Sequence, residues 1–423
     1  MLALIRLELR KQPWVIHAIA LVGMLMLFAA PLGHYLGVLP NQYYILNGVK
    51  HYLSTRQTAD DRYHAVVTTV DSELKANLKQ QAYYPDHNRA AAVAMLKAVR
   101  KPLADRDFVK VNRLTLAAIT KHPTIVYNDY AKGFLQTSGA NQVNKWERVA
   151  YPLRYLVKHR ENRLLAIDQT TSAAAIVYNV WAKAGSHAAQ TASADDPSQM
   201  TDSTAIDQGT PLMWAFLAYA TIVLTLVFNF DQRNHTEAFM RMTPAADFRL
   251  AVSRALITLA VIFAVMLALI GLALAVNAAV PGQTWGSLRL PIADTFQSHT
   301  TAVPIWLYLG RALALMMAWA ALIAGIAFTV SQFSANALVG MMVAAALILL
   351  MPLHVLDAFS QPVRQLFPAY YTNQAALLNH LDFFAGITLG QVLALFGRWL
   401  VATWLIGGVV QWLRSHVRGP WLA

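Results

Sequence analysis

The sequence predicts an all-α polytopic membrane protein with six transmembrane helices and a large helical extracytoplasmic insert between the first two. Apolar residues make up 57% of the 423 residues and charged residues only 13%, against roughly 25% charged residues in an ordinary soluble domain. The charges are unevenly distributed, because residues 34–210 hold 36 of the 56 charged side chains. Six apolar stretches have the length of about twenty residues that a membrane-spanning helix requires.

Residues 1–33 combine an interfacial segment with the first predicted span. Between Leu2 and Gln12, apolar residues alternate with charged ones, a pattern typical of an amphipathic helix that lies on the membrane surface. A charged flank without structure of its own explains the same residues equally well. The apolar run from Trp14 to Gly33 is too long for a cleaved signal peptide and is predicted to cross the membrane.

Residues 34–184 are predicted to form the extracytoplasmic helical domain. The segment 49–132 contains no glycine and few prolines, so it has few helix breakers. Apolar residues such as Leu153 and Leu156 recur at the three- and four-residue steps that packed helices require. Residues 185–210 are rich in Ser, Thr, Ala and Asp, and are predicted to be a flexible linker.

Residues 211–423 are predicted to form a five-helix transmembrane domain that contains a cytoplasmic loop. None of the six predicted spans contains Asp or Glu, the side chains that proton-coupled pumps and many intramembrane enzymes need at depth. This composition argues against both of those classes. The predicted spans are 14–33, 211–230, 255–280, 305–330, 337–356 and 393–413.

Lys and Arg in the short loops predict the orientation, since these residues are retained on the cytoplasmic side. Nine basic residues flank one set of span ends and two flank the other. This asymmetry predicts a multi-pass protein of the cell membrane with both termini in the cytoplasm and the insert outside. The nine are Arg6, Arg10, Lys11, Arg233, Arg241, Arg249, Arg254, Arg414 and Arg418, and the two are Arg289 and Arg364.

The sequence shows no motif for catalysis, cofactor binding or metal binding. It contains no cysteine and no GxxxxGK[ST], HExxH or GxSxG pattern. The net charge of +12 is attributed to membrane topology and to contact with membrane lipids, and no nucleic acid partner is predicted. We therefore expect that the chain is not itself an enzyme and that it binds neither a metal nor a cofactor.

Two arginines lie within predicted spans, near the ends that would face outward. Arg311 is in the fourth span and Arg398 is in the sixth. One interpretation is that each side chain extends to the membrane interface. The other is that both lie on a possible substrate path and contact an anionic substrate.

The loop from Asp231 to Arg254 is the most informative connection between spans. Glu237 and Arg241 are spaced i,i+4 on a short predicted helix that Pro244 ends. A second amphipathic stretch, which carries Arg249 and Arg254, leads into the third span. A charged connector fits these residues, and so does a contact for a partner ATPase.

In these features the chain resembles the ABC-2 family, the membrane subunits of bacterial ATP-driven exporters. Its basic amphipathic start, its six predicted spans and its loop between spans two and three all follow the family pattern, although His235 stands where glycine is usual. Residues 366–371 and an apolar helix through Leu381 resemble the family's outer re-entrant hairpin. The resemblance covers about 240 residues and leaves the insert unexplained. The loop residues that follow the pattern are Thr236, Glu237, Phe239, Met240, Thr243, Pro244 and Arg254.

The resemblance implies a permease subunit that exports an amphipathic, peptide-like or lipid-linked substrate. ATP and Mg would be bound by a cytoplasmic ABC ATPase subunit, and two permease subunits would form a homodimer or a heterodimer. The residues expected to couple the permease to the ATPase are Thr236, Glu237, Phe239, Met240, Arg241, Thr243, Pro244, Arg249 and Arg254.

Two other classes of function remain open. A non-transporting membrane sensor or immunity protein would bind an extracellular peptide through residues 34–210. An integral membrane enzyme has less support, because no nucleophile, base or metal cluster stands out in the sequence.

Overall fold

The structure is a computed structural model, and it confirms that the described chain is mostly helical. The predicted linker 185–210 and residues 235–246 of the predicted loop lie outside the described residues. The described residues are 2–29, 43–46, 49–52, 58–135, 145–182, 211–234, 247–280, 282–297, 299–380 and 384–417.

The described residues form helices of very different lengths and two short pairs of antiparallel strands. The helices are α1 (Leu2–Arg10), α2 (Trp14–Met26), α3 (Ala59–Tyr83), α4 (His87–Ala104), α5 (Phe108–Lys121), α6 (Thr124–Tyr127), α7 (Lys132–Leu135), α8 (Lys145–Lys158), α9 (Leu165–Thr171), α10 (Ala173–Ala182), α11 (Pro211–Phe228), α12 (Phe230–Arg233), α13 (Asp247–Ala278), α14 (Ile305–Ser331), α15 (Ala337–Ile348), α16 (Gln361–Arg364), α17 (Gln374–Leu378) and α18 (Leu389–Val417). The strands are β1 (Tyr43–Leu46), β2 (Val49–Tyr52), β3 (Pro291–Phe296) and β4 (His299–Pro304).

Within the described part of the chain, four helices are long and apolar enough to cross a membrane: α11, α13, α14 and α18. They coincide with the second, third, fourth and sixth predicted spans, and they fit a multi-pass membrane protein. Helices α11 and α14 are mostly enclosed by other helices, whereas α13 and α18 expose much of their apolar surface. Apolar surface of this extent is stable when it contacts lipid or another apolar surface.

The first predicted span forms the shorter helix α2, which runs beside α13. At one end Gln12 Nε2 donates to Thr258 Oγ1 at 3.0 Å, and at the other Asn277 Nδ2 donates to the Phe28 carbonyl at 3.1 Å. Nineteen helical positions separate Thr258 from Asn277, which corresponds to about 28 Å along the helix axis. The segment 12–28 therefore accompanies α13 over that distance.

The fifth predicted span forms α15, which has only 12 residues. Beyond Ile348 the chain continues in turns, and His354 adopts a left-handed conformation with φ of 58° before a short 3-10 helix begins. The stretch for which the resemblance implies a re-entrant hairpin contains a 3-10 helix, Pro368–Tyr371, and then the five-residue helix α17, while Leu381 lies outside the described residues. All residues of 368–378 are buried, and the Trp399 indole N–H of α18 donates to the Leu366 carbonyl at 2.8 Å.

The insert has a hydrophobic core of its own. Helices α3 to α9 contribute to it, and side chains such as Leu96, Val111 and Ile119 are fully buried there. Helix α3 begins with a capping box, in which the Thr58 hydroxyl accepts from the Asp61 N–H and the Asp61 carboxylate accepts from the Thr58 N–H. This cap fixes the first helix of the insert where the insert leaves the membrane body, the name we give to the helices that build the larger apolar core: α2, α10, α11, α13, α14, α15, α17 and α18.

Helix α10 belongs to the core of the membrane body. Tyr178 and Trp181 are buried among the side chains of the long apolar helices. The change from one core to the other therefore falls near Ser172.

Both ends of the insert meet the same short segment of the membrane body. The Ala59 N–H donates to the Gly282 carbonyl at 3.1 Å, and the Ala173 N–H donates to the Thr284 carbonyl at 2.8 Å. The insert thus leaves and re-enters the body at neighbouring positions.

The hairpin β3–β4 is a feature that the all-α prediction missed. Its two antiparallel strands pair from Pro291 with Pro304 to Phe296 with His299. The insert helix α8 packs on this hairpin, and the Thr300 N–H donates to a Glu147 carboxylate oxygen at 3.3 Å. The hairpin consequently lies between the insert and the apolar helices.

Candidate functional site

Most of the predicted coupling residues fall in 235–246, outside the described residues. The two ends of this segment are described, and they are held close to each other. Asp231 on α12 and Arg254 on α13 form an ion pair. The seven coupling residues outside the described part are Thr236, Glu237, Phe239, Met240, Arg241, Thr243 and Pro244.

Arg254 belongs to a buried network that we call the four-charge cluster, formed by Glu8, Lys11, Asp231 and Arg254. Arg254 Nε donates to Glu8 Oε2 at 2.9 Å, and Arg254 Nη2 also donates to Asp231 Oδ2. Lys11 Nζ donates to Glu8 Oε1 at 3.0 Å and lies 2.9 Å from Asp231 Oδ1. Each base therefore contacts both acids, and each acid contacts both bases.

The cluster is almost completely removed from solvent. Glu8 is 0% exposed, Arg254 6%, and Lys11 and Asp231 7% each. Burial opposes ionisation of the Asp231 carboxyl, but Arg254 and Lys11 outweigh it and hold the pKa of Asp231 below its usual range. Two acids and two bases balance one another, which is the condition under which buried charges are tolerated.

Helix α1 is held in place by charged side chains that point toward the membrane body. Glu8 and Lys11 are spaced i,i+3 and point into the cluster, whereas Arg6 and Arg10 are exposed. Gln12 adds a hydrogen bond to α13, so the chain between α1 and α2 is fixed as well. The amphipathic helix predicted near the N-terminus is thus present, and its polar side includes residues that pair inside the protein.

Arg249 and Arg254 have different environments although both were predicted coupling residues. Five positions on a helix turn the side-chain direction by roughly 140° from one residue to the other. Arg249 is accordingly exposed and Arg254 is buried. Of the two, the structure places Arg254 in the cluster and leaves Arg249 on the surface.

Sequence reasoning missed that Glu8, Lys11 and Asp231 form a site with Arg254. The available signal was weak, because charged residues next to a span usually serve topology. Arg254 lies 246 positions from Glu8, and no local pattern relates two residues so far apart.

The predicted substrate-path residue Arg311 lies in a second group, the Asp294 cluster, formed by Asp294, Arg311 and His380. Arg311 Nη1 donates to Asp294 Oδ2 at 2.9 Å, and His380 Nε2 lies 3.7 Å from Asp294 Oδ1. The Arg311 side chain is 33% exposed and that of His380 12%. Arg398, the other predicted path residue, is exposed on α18, so the two arginines differ in environment.

Aromatic and amide side chains surround the Asp294 cluster. The rings of Tyr178 and Tyr308 meet edge to face with centroids 4.9 Å apart, and the Phe296 ring lies 4.7 Å from the His380 ring. Asn379 Nδ2 donates to the Ala182 carbonyl at 3.1 Å. The cluster therefore lies where α10, β3, α14 and the end of α17 meet.

No family model matches this chain, and comparisons with curated proteins and with solved structures likewise give no match. The resemblance to ABC-2 permeases consequently stays a prediction based on the residues quoted above. Among the described residues, no group of three or more His, Asp or Glu side chains is arranged to hold a metal ion.

Proposed function

We propose that this chain is the membrane subunit of an ATP-driven exporter of the ABC-2 type. It would move an amphipathic, peptide-like or lipid-linked substrate outward across the cell membrane. A cytoplasmic ABC ATPase would bind ATP and Mg and would contact the loop formed by residues 231–254. Two permease subunits, identical or different, would complete the complex, with membrane lipids around them.

The observation that carries this proposal is the four-charge cluster at the base of the 235–246 segment. It joins α1, the end of α11 through α12, and the start of α13. Because the network is buried and every charge in it is paired, it forms a stiff joint. A force that an ATPase applied to the loop would therefore reach three membrane elements together.

The proposed topology has six crossings with the cluster on the cytoplasmic side. Four crossings are the long apolar helices, and the run of segment 12–28 beside α13 supports α2 as a further crossing. Helix α15 and the turns after it would supply the sixth. The spans carry no Asp or Glu, which favours an external source of energy over a proton path.

Cysteine labelling tests the orientation directly. The chain has no cysteine, so a single introduced Thr236→Cys provides the only thiol. A membrane-impermeant maleimide should label this variant in inverted vesicles and leave it unlabelled in intact cells. Asp105→Cys in the insert is the matched control and should show the opposite pattern. Labelling of Thr236→Cys in intact cells would remove the basis of the proposal.

Copurification tests the partner. The tagged chain, expressed from its native locus and extracted in mild detergent, should retain an ATPase. Glu237→Gln and Pro244→Ala should reduce the retained ATP hydrolysis, whereas Lys110→Gln on the exposed surface of the insert should not. If no ATPase is retained by the unaltered chain, the exporter proposal fails.

The alternative function is a non-transporting sensor or immunity protein that binds an extracellular peptide through the insert. The separate core of the insert favours an independent binding role. Since Thr58 and Ser172 both lie beside residues 282–284, residues 60–170 can be replaced by a short glycine linker while α10 stays in place. An exporter should keep its ATPase after this deletion. A sensor should lose its binding of the extracellular peptide.

A further inference from the structure

Two side chains of the Asp294 cluster, Arg311 and His380, have nitrogen atoms without a hydrogen-bond partner among the described residues. Arg311 donates from Nη1 to Asp294, and no other described residue accepts from its guanidinium. The buried His380 Nδ1 has no hydrogen-bond partner among the described residues. A guanidinium carries five N–H groups, so several donors remain available at this place.

The backbone conformation of His380 indicates that its position is imposed by the surroundings. Its φ is 52°, in the left-handed region that non-glycine residues seldom adopt. The Phe296 ring and the Asp294 carboxylate hold its side chain. Backbone strain of this kind is concentrated at functional sites.

The remaining N–H groups of Arg311, together with His380 Nδ1 when it carries a proton, share one chemical preference. Guanidinium groups bind phosphate oxygens through two parallel hydrogen bonds, and a proton on His380 Nδ1 would find an acceptor in a third oxygen. Tyr308 lies three positions before Arg311 on α14, and its ring meets the Tyr178 ring edge to face. Asp294 compensates the charge of Arg311 while no anion is present.

We infer that Arg311 and His380, held by Asp294, form a binding site for a phosphate group. The phosphate would belong either to a lipid headgroup or to a soluble phosphate ester. The Arg311 side chain is 33% exposed, so a ligand can reach it from solvent. The role of this site as a contact for an exported substrate rests on the proposed export function, whereas the binding of a phosphate group does not.

The test measures ligand binding to the purified full-length chain without any ATPase. The probes are dioctanoyl phosphatidylglycerol, glycerol 3-phosphate and dioctanoylglycerol, each titrated while the thermal unfolding midpoint is followed. Phosphatidylglycerol should raise the midpoint, and dioctanoylglycerol, which lacks phosphate, should not. A shift with glycerol 3-phosphate as well would assign the site to soluble esters, and its absence would assign the site to lipid.

Substitutions locate the site. Arg311→Gln and His380→Gln should each weaken binding about tenfold or more, the loss expected when one charge-assisted contact is removed. Arg398→Gln removes an exposed arginine of a neighbouring span and should leave binding unchanged. The double variant Asp294→Asn/Arg311→Gln removes both charges of the pair together. It should fold and still lose binding, which separates loss of the site from loss of the fold.

Three results would overturn the inference. The first is that Arg311→Gln and His380→Gln bind phosphatidylglycerol as tightly as the unaltered chain, and the second is that Arg398→Gln loses as much binding as they do. The third is that dioctanoylglycerol raises the unfolding midpoint as much as phosphatidylglycerol does. Because no ATPase takes part, such a result leaves the export proposal intact. Conversely, if no ATPase partner is found, the export proposal fails but phosphate binding by the isolated chain is still expected.

Discussion

The two charge clusters of this protein differ in how completely their groups are paired. In the four-charge cluster two acids and two bases contact one another, and none is more than 7% exposed. In the Asp294 cluster one acid contacts an arginine and a histidine, Arg311 is one-third exposed, and its remaining N–H groups have no acceptor among the described residues. The first arrangement leaves few groups that a ligand could bind, whereas the second leaves hydrogen-bonding groups that a ligand could use.

We propose that the four-charge cluster serves rigidity and the Asp294 cluster serves recognition. A fully paired network in a low dielectric is stiff, and removing any member leaves its partners buried and uncompensated. A partly paired group keeps its orientation and still offers hydrogen bonds. Pairing and exposure therefore distinguish the two roles better than the number of charges does.

Loss of one base should be most costly in the four-charge cluster. Arg254→Gln removes one of the two bases of the cluster and leaves Lys11 to balance Glu8 and Asp231 within it, so we expect a loss of about 3–5 kcal/mol in the free energy of unfolding. Denaturant unfolding of the detergent-solubilised chain measures this loss. Arg249→Gln, on the exposed side of the same helix, is the matched control and should change stability by no more than about 0.5 kcal/mol. Similar costs for both variants would contradict the structural role of the cluster.

A double-mutant cycle should show that Glu8 and Arg254 act as a pair. Glu8→Gln and Arg254→Gln together should cost less than the sum of the single variants, with a coupling energy of about 1–3 kcal/mol. The reason is that each single variant leaves an unbalanced charge, whereas the double variant removes one of each sign. Strict additivity would indicate that α1 is not joined to α13 through this contact.

Stability should depend less on the Asp294 cluster. Arg311→Gln should reduce the free energy of unfolding by about 1 kcal/mol or less, since Arg311 is partly exposed and solvent weakens its ion pair. The same unfolding measurement checks this, with Arg398→Gln as the control. A loss comparable to that of Arg254→Gln would remove the distinction between the two clusters.

The contribution of Asp231 should not change between pH 8 and pH 5. Its pKa in the folded protein is lowered, so the stability it adds is present above the unfolded pKa of about 3.9 and is lost only as the pH falls through the folded value. The midpoint difference between the unaltered chain and Asp231→Asn should therefore be the same at both pH values. A difference that shrinks at pH 5 would show that the Asp231 carboxyl is not held ionised by Lys11 and Arg254.

Part of this architecture follows from local sequence. The runs that become α11, α13, α14 and α18 are apolar over the full length of a span, and Arg254 was identified from its place at the end of the loop. The hairpin β3–β4 was not predicted, because its two strands of six residues are short and lie between two long apolar helices. The roles of Glu8 and Lys11 were also missed, since each fits equally well as a charged flank of the first span.

The sequence by itself determined the helices and the separation of a charged insert from an apolar body. Both depend on the composition of contiguous residues and on their transfer free energies, which add along the chain. Only the tertiary structure decided which charges meet, because Glu8, Asp231 and Arg254 come from separate helices and their pairing depends on how those helices pack. It also decided that α10 belongs to the membrane body, since burial of its apolar side chains depends on neighbours far away in the chain.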